Sequence, residues 1–265
     1  MLTRPAKRNA QSPEMLYELD REFVRAASDE RVRAILLEAD GPDFSAGHDL
    51  VAGFYVPGEP VATTGGHRME GLVEGHYGFE CETYYGLSRR WRDIPVPTIA
   101  VAQGRSIAAA LMLLWPMDII IASADATFSD PVADFGVNGV EYFSHVWELG
   151  HRRAKEILFT GDALTADEAH RLGMVNHVLP DHGEARSFAL SMAQRIAERH
   201  PFGNRLAKES INRSLDAQGQ SVAMESALAL HNLGHAAVAA RTGALVDARG
   251  VAATATRGAK AGSPG

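Results

Sequence analysis

The chain has 265 residues, 46% hydrophobic, 22% charged and 7% aromatic, with 25 Gly, 12 Pro and a single Cys. This composition excludes disorder, collagen and coiled coil as the main architecture, and the length suits one sizeable domain with a helical appendage. A formal net charge of −7 argues against a nucleic-acid partner, and no apolar run reaches the roughly 20 residues of a bilayer span.

Cys81 alone permits no internal disulfide, and Met1-Leu-Thr-Arg-Pro5 lacks the apolar core of a signal peptide. The expectation is a soluble, cytoplasmic protein with no membrane partner.

In chain order, Ser12-Pro13-Glu14 predicts a helix start, with Met15, Leu16, Leu19 and Phe23 on its inner face. Val32 to Glu38 reads as a buried strand closed by the loop Asp40-Gly41-Pro42. Residues 53–91 mix glycines with aromatic residues, including His76, Tyr77, Phe79 and Tyr84, and read as a lid-like insertion. Pro97 to Ala102 and Asp118 to Ala122 are two further strands. Thr165-Ala-Asp-Glu168 is a capping box opening a short helix that Gly173 closes, and Met174 to Leu179 is another strand. From about residue 184 the pattern is helical, and 251–265 reads as a disordered tail. The alternation of strand and helix signals predicts an α/β class. It divides the chain into a core over 1–183, a helical region over 184–250 and the tail.

Two turns rich in small residues follow strands: Phe44-Ser45-Ala46-Gly47-His48-Asp49-Leu50 and Gln103-Gly104-Arg105-Ser106-Ile107-Ala108-Ala109-Ala110. Small residues let a ligand approach the backbone, and a helix start leaves N–H groups free for negative charge. Two such turns facing each other would aim two amides at one oxygen, an oxyanion hole. Gly104-Arg-Ser106-Ile-Ala108 also imitates a nucleophile elbow, which is the weaker reading. His231 and His235 have the i, i+4 spacing of a metal pair but lack the Glu of a zinc-protease helix and an evident third ligand. They are read as structural, and no metal is expected. There is no phosphate-binding glycine motif and no cofactor is expected.

Together with Arg4 to Ala10, Pro97 to Gly104, Asp118 to Phe128, Ala154-Lys155-Glu156, Thr160 to Ala169 and Leu172 to Asn176, these turns resemble the crotonase superfamily, the enoyl-CoA hydratase/isomerase family. The resemblance implies a spiral of ββα units, a helical C-terminal trimerisation region giving a homotrimer or homohexamer, and an acyl-CoA substrate. It places the thioester oxygen on the amides of His48 and Ala109, and the CoA moiety along Arg8, Ala46, Asp49 and Leu50. The two glutamates of the family's hydratases fall here on Met112 and Val132, which neither place nor activate a water. The family's usual first strand and hairpin before Arg4 are expected to be missing. Asp130, Asp134 and Glu141 are candidate replacement acids; Glu141 is preferred, with His145 expected to orient it. The alternative is an acyl-CoA binding protein that has lost the chemistry.

Overall fold

The structure, a computed structural model, describes residues 1–64 and 71–261. Residues 65–70 of the expected lid and 262–265 of the expected tail lie outside the described residues.

Two small sheets carry the fold. β1 (Ile35–Leu37), β2 (Thr98–Ala102), β4 (Ile119–Ser123) and β7 (His177–Leu179) form a parallel sheet in the order β1-β2-β4-β7. β3 (Arg105–Ile107), β5 (Thr127–Ser129) and β6 (Leu164–Thr165) form the second, with β3 parallel and β6 antiparallel to β5. Each turn of the chain thus gives one strand to each sheet: β2 then β3, β4 then β5. β1 repeats the pattern through Ser45, which bridges Ser106 in parallel. This is the ββα spiral expected from the resemblance.

β2 is buried along its whole length because both faces are covered. Ala100 and Ala102 join the main core, while Ile99, Val101 and Ile121 meet Ala185 and Ala189 of the helix His182–Ala197. The capping signals were legible. Ser12 accepts from the Met15 amide at the start of α1 (Pro13–Ser28), and Thr165 and Glu168 form the full capping box on the helix Ala166–Leu172.

The lid expectation needs correction. Residues 51–64 are irregular, but from Val73 the chain is one helical rod: α2 (Val73–Phe79), a π-helical turn (Glu80–Tyr84) and α3 (Tyr85–Arg92). Gly75 and Gly78 each cost about 1 kcal/mol of helix propensity. Complete or nearly complete burial of Phe79, Leu87 and Trp91, at roughly 1.5–3 kcal/mol each, outweighs that. Glu82 fixes the irregular stretch to the rod, accepting from the amides of Val61, Ala62 and Thr63, the Thr63 hydroxyl and the Tyr17 phenol.

The tail expectation also fails for the described part. Ala248–Ala261 is helical, and Gly250 lies so close to Asp134 O that a Cβ there would sit 1.9 Å from it. Thr254 also bonds the Asp134 carboxylate. An alanine- and glycine-rich composition therefore marks close packing here rather than lack of structure. Among the described residues, no helix is long and apolar enough to cross a membrane. The helices Pro201–Ala217 and Gln220–Thr242 leave Phe202, Leu206, Ile211, Val222, Leu230 and Leu233 exposed.

Candidate active site

The two small-residue turns are laced together. The Ser45 amide donates to Arg105 O at 3.2 Å, and the Ile107 amide returns to Ser45 O at 3.1 Å. Gly47 is the point of closest approach: a Cβ there would lie 2.8 Å from Ile107 O and 3.4 Å from Ala109 N, and its φ is +88°. Only glycine meets both conditions without strain. The neighbouring amide, of His48, has no protein acceptor among the described residues, since the bridge to Gln11 uses Gly47 O and the Asp49 amide. Ala109 is the second residue of the short helical turn Ala108–Ala110, so its N–H has no partner within that turn.

Ala108 enters that turn with φ +49°, a left-handed conformation in a residue carrying a Cβ. This stores about 1–2 kcal/mol of strain. Ala108→Gly is therefore expected to raise stability by about 1 kcal/mol, or about 2–4 °C in Tm, measured by thermal unfolding. An unchanged or lower Tm would show that the turn is relaxed as it stands.

Beside these turns lies a cavity of about 560 Å³. Arg8, Ala46, His48, Leu50, Ala109, Val132 and Glu141 line it, so these sequence-derived site residues do come together. Two others do not. Met112 is turned into the hydrophobic core, and Asp49 is not on the wall but pairs with Arg4 at 2.9 Å. Neither is on the cavity wall among the described residues.

Of the three candidate acids only Glu141 faces the cavity. The Asp130 carboxylate is committed: it accepts from the Val140 and Val132 amides and meets His145 Nε2 at 2.8 Å. His145 therefore holds Asp130 rather than orienting Glu141. Asp134 takes part in seating the C-terminal helix. Ser106, the supposed elbow serine, is fully buried within β3 and has no nucleophile's exposure.

Glu141 is approached by His48 Nε2 at 3.3 Å and His231 Nε2 at 3.7 Å. Burial pushes its carboxyl up, but the charges of His48 and His231 and the hydrogen bond from His48 outweigh it and hold the group below its ordinary range. The ionised form is thereby favoured in a mostly apolar cavity. The His48 ring stacks on Tyr84 with centroids 3.6 Å apart, which fixes the imidazole against Glu141.

Glu80 was not singled out in the sequence, and His76, Tyr84, His231 and His235 were not expected to meet it. His76, Glu80 and Tyr84 come from one face of the helical rod and His231 and His235 from the long C-terminal helix; all five line the same cavity. The i, i+4 spacing of 76, 80 and 84 was readable, but the glycines around it concealed the helix. Burial raises the Glu80 carboxyl, yet the imidazoles of His231, His235 and His76 hold it well below its usual range. Burial lowers His231, and Glu80 reverses this, pushing it up to about 9.

A family model described as Enoyl-CoA hydratase/isomerase matches residues 1–243. The chain belongs to the enoyl-CoA hydratase/isomerase family, the crotonase superfamily. It is 43% identical over 248 residues to a putative enoyl-CoA hydratase, EchA13, of Mycobacterium tuberculosis, covering 89% of this chain and 76% of that one. The crystal structure of a probable enoyl-CoA hydratase from Mycobacterium smegmatis superposes with a TM-score of 0.83 at 45% identity, covering 92% of this chain and 93% of the other. More distantly, it is 29% identical over 228 residues to 4-chlorobenzoyl coenzyme A dehalogenase-2 of an Arthrobacter species, covering 84% and 75% of the two chains.

Proposed function

We propose that the protein is an acyl-CoA enzyme that generates an enolate on its bound thioester. The observation that carries this reading is the meeting of the two turns at Gly47, with the free His48 and Ala109 amides beside the cavity that contains Glu141. The ionised Glu141 takes a proton from the carbon next to the thioester carbonyl. The electron pair of that C–H bond moves onto the carbonyl oxygen, where the two amides stabilise it. Returning the proton to another carbon completes an isomerisation, and loss of a group from the β-carbon completes an elimination. His48 and Tyr84 are positioning residues for Glu141.

With Val132 on the wall and Met112 in the core, neither position of the family's hydratase glutamates supplies a carboxylate. Ordinary two-glutamate hydration is not the proposed reaction. Phe54, Tyr84, Phe135, Val137 and Val140 give the cavity an apolar, aromatic wall suited to a bulky or cyclic acyl group. Arg8 and Leu50 would lie along the CoA moiety. The exposed apolar residues of the two long C-terminal helices support assembly as a homotrimer or homohexamer.

The test is a panel of acyl-CoA thioesters incubated in deuterium oxide, with exchange at the α-carbon and product formation followed by mass spectrometry. Ring-bearing acyl-CoAs are expected to exchange and turn over faster than butyryl-CoA. Binding of thioesters by calorimetry without exchange on any member would instead establish a non-catalytic acyl-CoA binding protein. Hydration of crotonyl-CoA at ordinary enzyme rates would contradict the account of positions 112 and 132.

A further inference from the structure

The family reading leaves one cluster without a role. His76, Glu80, His231 and His235 are all at most 5% exposed, and Glu80 is shared by two groups whose donor atoms lie within 4.8 Å of one another, His76–Glu80–His235 and Glu80–Glu141–His231. Glu80 Oε1 lies 2.7 Å from His76 Nε2, 3.2 Å from His235 Nε2 and 3.4 Å from His231 Nε2, and the two last imidazole nitrogens are 2.9 Å apart. None of the contacts to Glu80 Oε1 is aligned as a hydrogen bond, so that oxygen is buried without one.

The outer contacts fix which atoms face inward. His231 Nδ1 donates to Gly139 O at 2.7 Å and His235 Nδ1 to Leu245 O at 2.6 Å, so Nε2 is the ring atom that faces the cluster and, in the neutral imidazole, the one that carries the lone pair. Asn232 Nδ2 donates to Glu80 Oε2 at 2.8 Å, which leaves Oε1 as the inward atom. A backbone carbonyl on the far nitrogen of a ligating imidazole and a hydrogen bond on a ligating carboxylate are the supports that metal ligands require. Donors 2.0–2.1 Å from a tetrahedral cation stand about 3.3 Å apart; the distances from Glu80 Oε1 to the three imidazoles and between His231 and His235 run from 2.7 to 3.4 Å.

We propose that His76, Glu80, His231 and His235 bind a divalent transition-metal cation of the zinc class in the wall of the acyl cavity. Three imidazoles and a carboxylate suit zinc, cobalt, nickel or iron(II) rather than magnesium or calcium. The cation neutralises the buried Glu80 charge and satisfies the facing lone pairs of His231 and His235, which a single shared proton does for one pair only. It would leave His76 and Glu80 Oε1 as found. Glu141, whose carboxylate lies within 4.8 Å of the donor atoms of Glu80 and His231, adjoins the site. The sequence alone offers His231 and His235 no further ligand because His76 and Glu80 stand on the helical rod, about 150 residues away.

The experiment uses untagged protein without acyl-CoA, so it is independent of the proposed reaction. The metal content of the purified protein is measured by inductively coupled plasma mass spectrometry. The chelator-treated protein is then titrated with zinc and with cobalt, by calorimetry and by the visible spectrum of cobalt. About one equivalent per chain is expected, with a zinc-dependent rise in Tm. His235→Ala and the isosteric Glu80→Gln are each expected to weaken uptake by about 100-fold or more. If either variant fails to fold, the other, and the Tm shift of the native chain, still decide. No uptake and no Tm shift in the native chain, or uptake unchanged in a folded variant, would overturn the site and leave a proton-held histidine–glutamate cluster.

Discussion

Glu141→Gln is expected to lower kcat by about 10²- to 10⁴-fold on whichever acyl-CoA the panel identifies, with acyl-CoA binding changed little. The substitution keeps the shape of a side chain that is 5% exposed and removes only its ability to accept a proton. Because Glu141 is not among the four proposed metal donors, metal content should be unchanged. That separates loss of the base from collapse of the neighbouring histidine cluster. Full activity in Glu141→Gln would move the acid–base role elsewhere. Glu80 would then be the remaining carboxylate on the wall, since the lining includes no other among the described residues.

The second large effect is expected from Gly47→Ala. A methyl group at Gly47 meets Ile107 O at 2.8 Å and the Ala109 nitrogen at 3.4 Å, on a backbone whose φ of +88° already opposes a Cβ. The two turns must separate or the chain must twist, and either motion misaligns one amide of the pair. Losing one oxyanion donor costs about 10²- to 10³-fold in kcat, so a loss of that order is expected in steady-state assays. The accompanying loss of stability, about 1–2 kcal/mol, should leave the protein folded at room temperature. A variant with native kcat would mean that charge does not develop between these turns.

The residues that carry backbone logic were the readable ones. Ser12 and the Thr165–Glu168 box announce their helices because a capping oxygen and an early acid do local work, and the alternation of strands fixes the α/β class. The two turns were legible for the same reason, since small residues at a strand end have few other uses. Side-chain partners set by distant packing were not. His145 lies four residues from Glu141, which invited a pairing along one helix face. The helix begins only at His145, and Asp130, held by the Val140 amide, reaches it first.

The partners that His231 and His235 meet were not legible because His76 and Glu80 arrive on a rod that its glycines disguised. Gly86 in that rod permits a close approach of Ala62 and Cys81 O, which a Cβ would meet at 2.7 and 2.4 Å. In the C-terminal helix, likewise, Gly250 marks a contact with Asp134 rather than a break in structure. In both places glycine serves packing that no local pattern reveals.

Infrared difference spectroscopy tests the central claim most directly. An acyl-CoA thioester without α-hydrogens, which cannot form the enolate, is labelled with ¹³C at the thioester carbonyl and bound to the native protein and to Gly47→Ala. If the His48 and Ala109 amides both donate to that oxygen, the labelled C=O stretch shifts to lower frequency on binding and recovers most of the shift in the variant. A bound carbonyl whose frequency matches that of the free thioester in water would contradict the account.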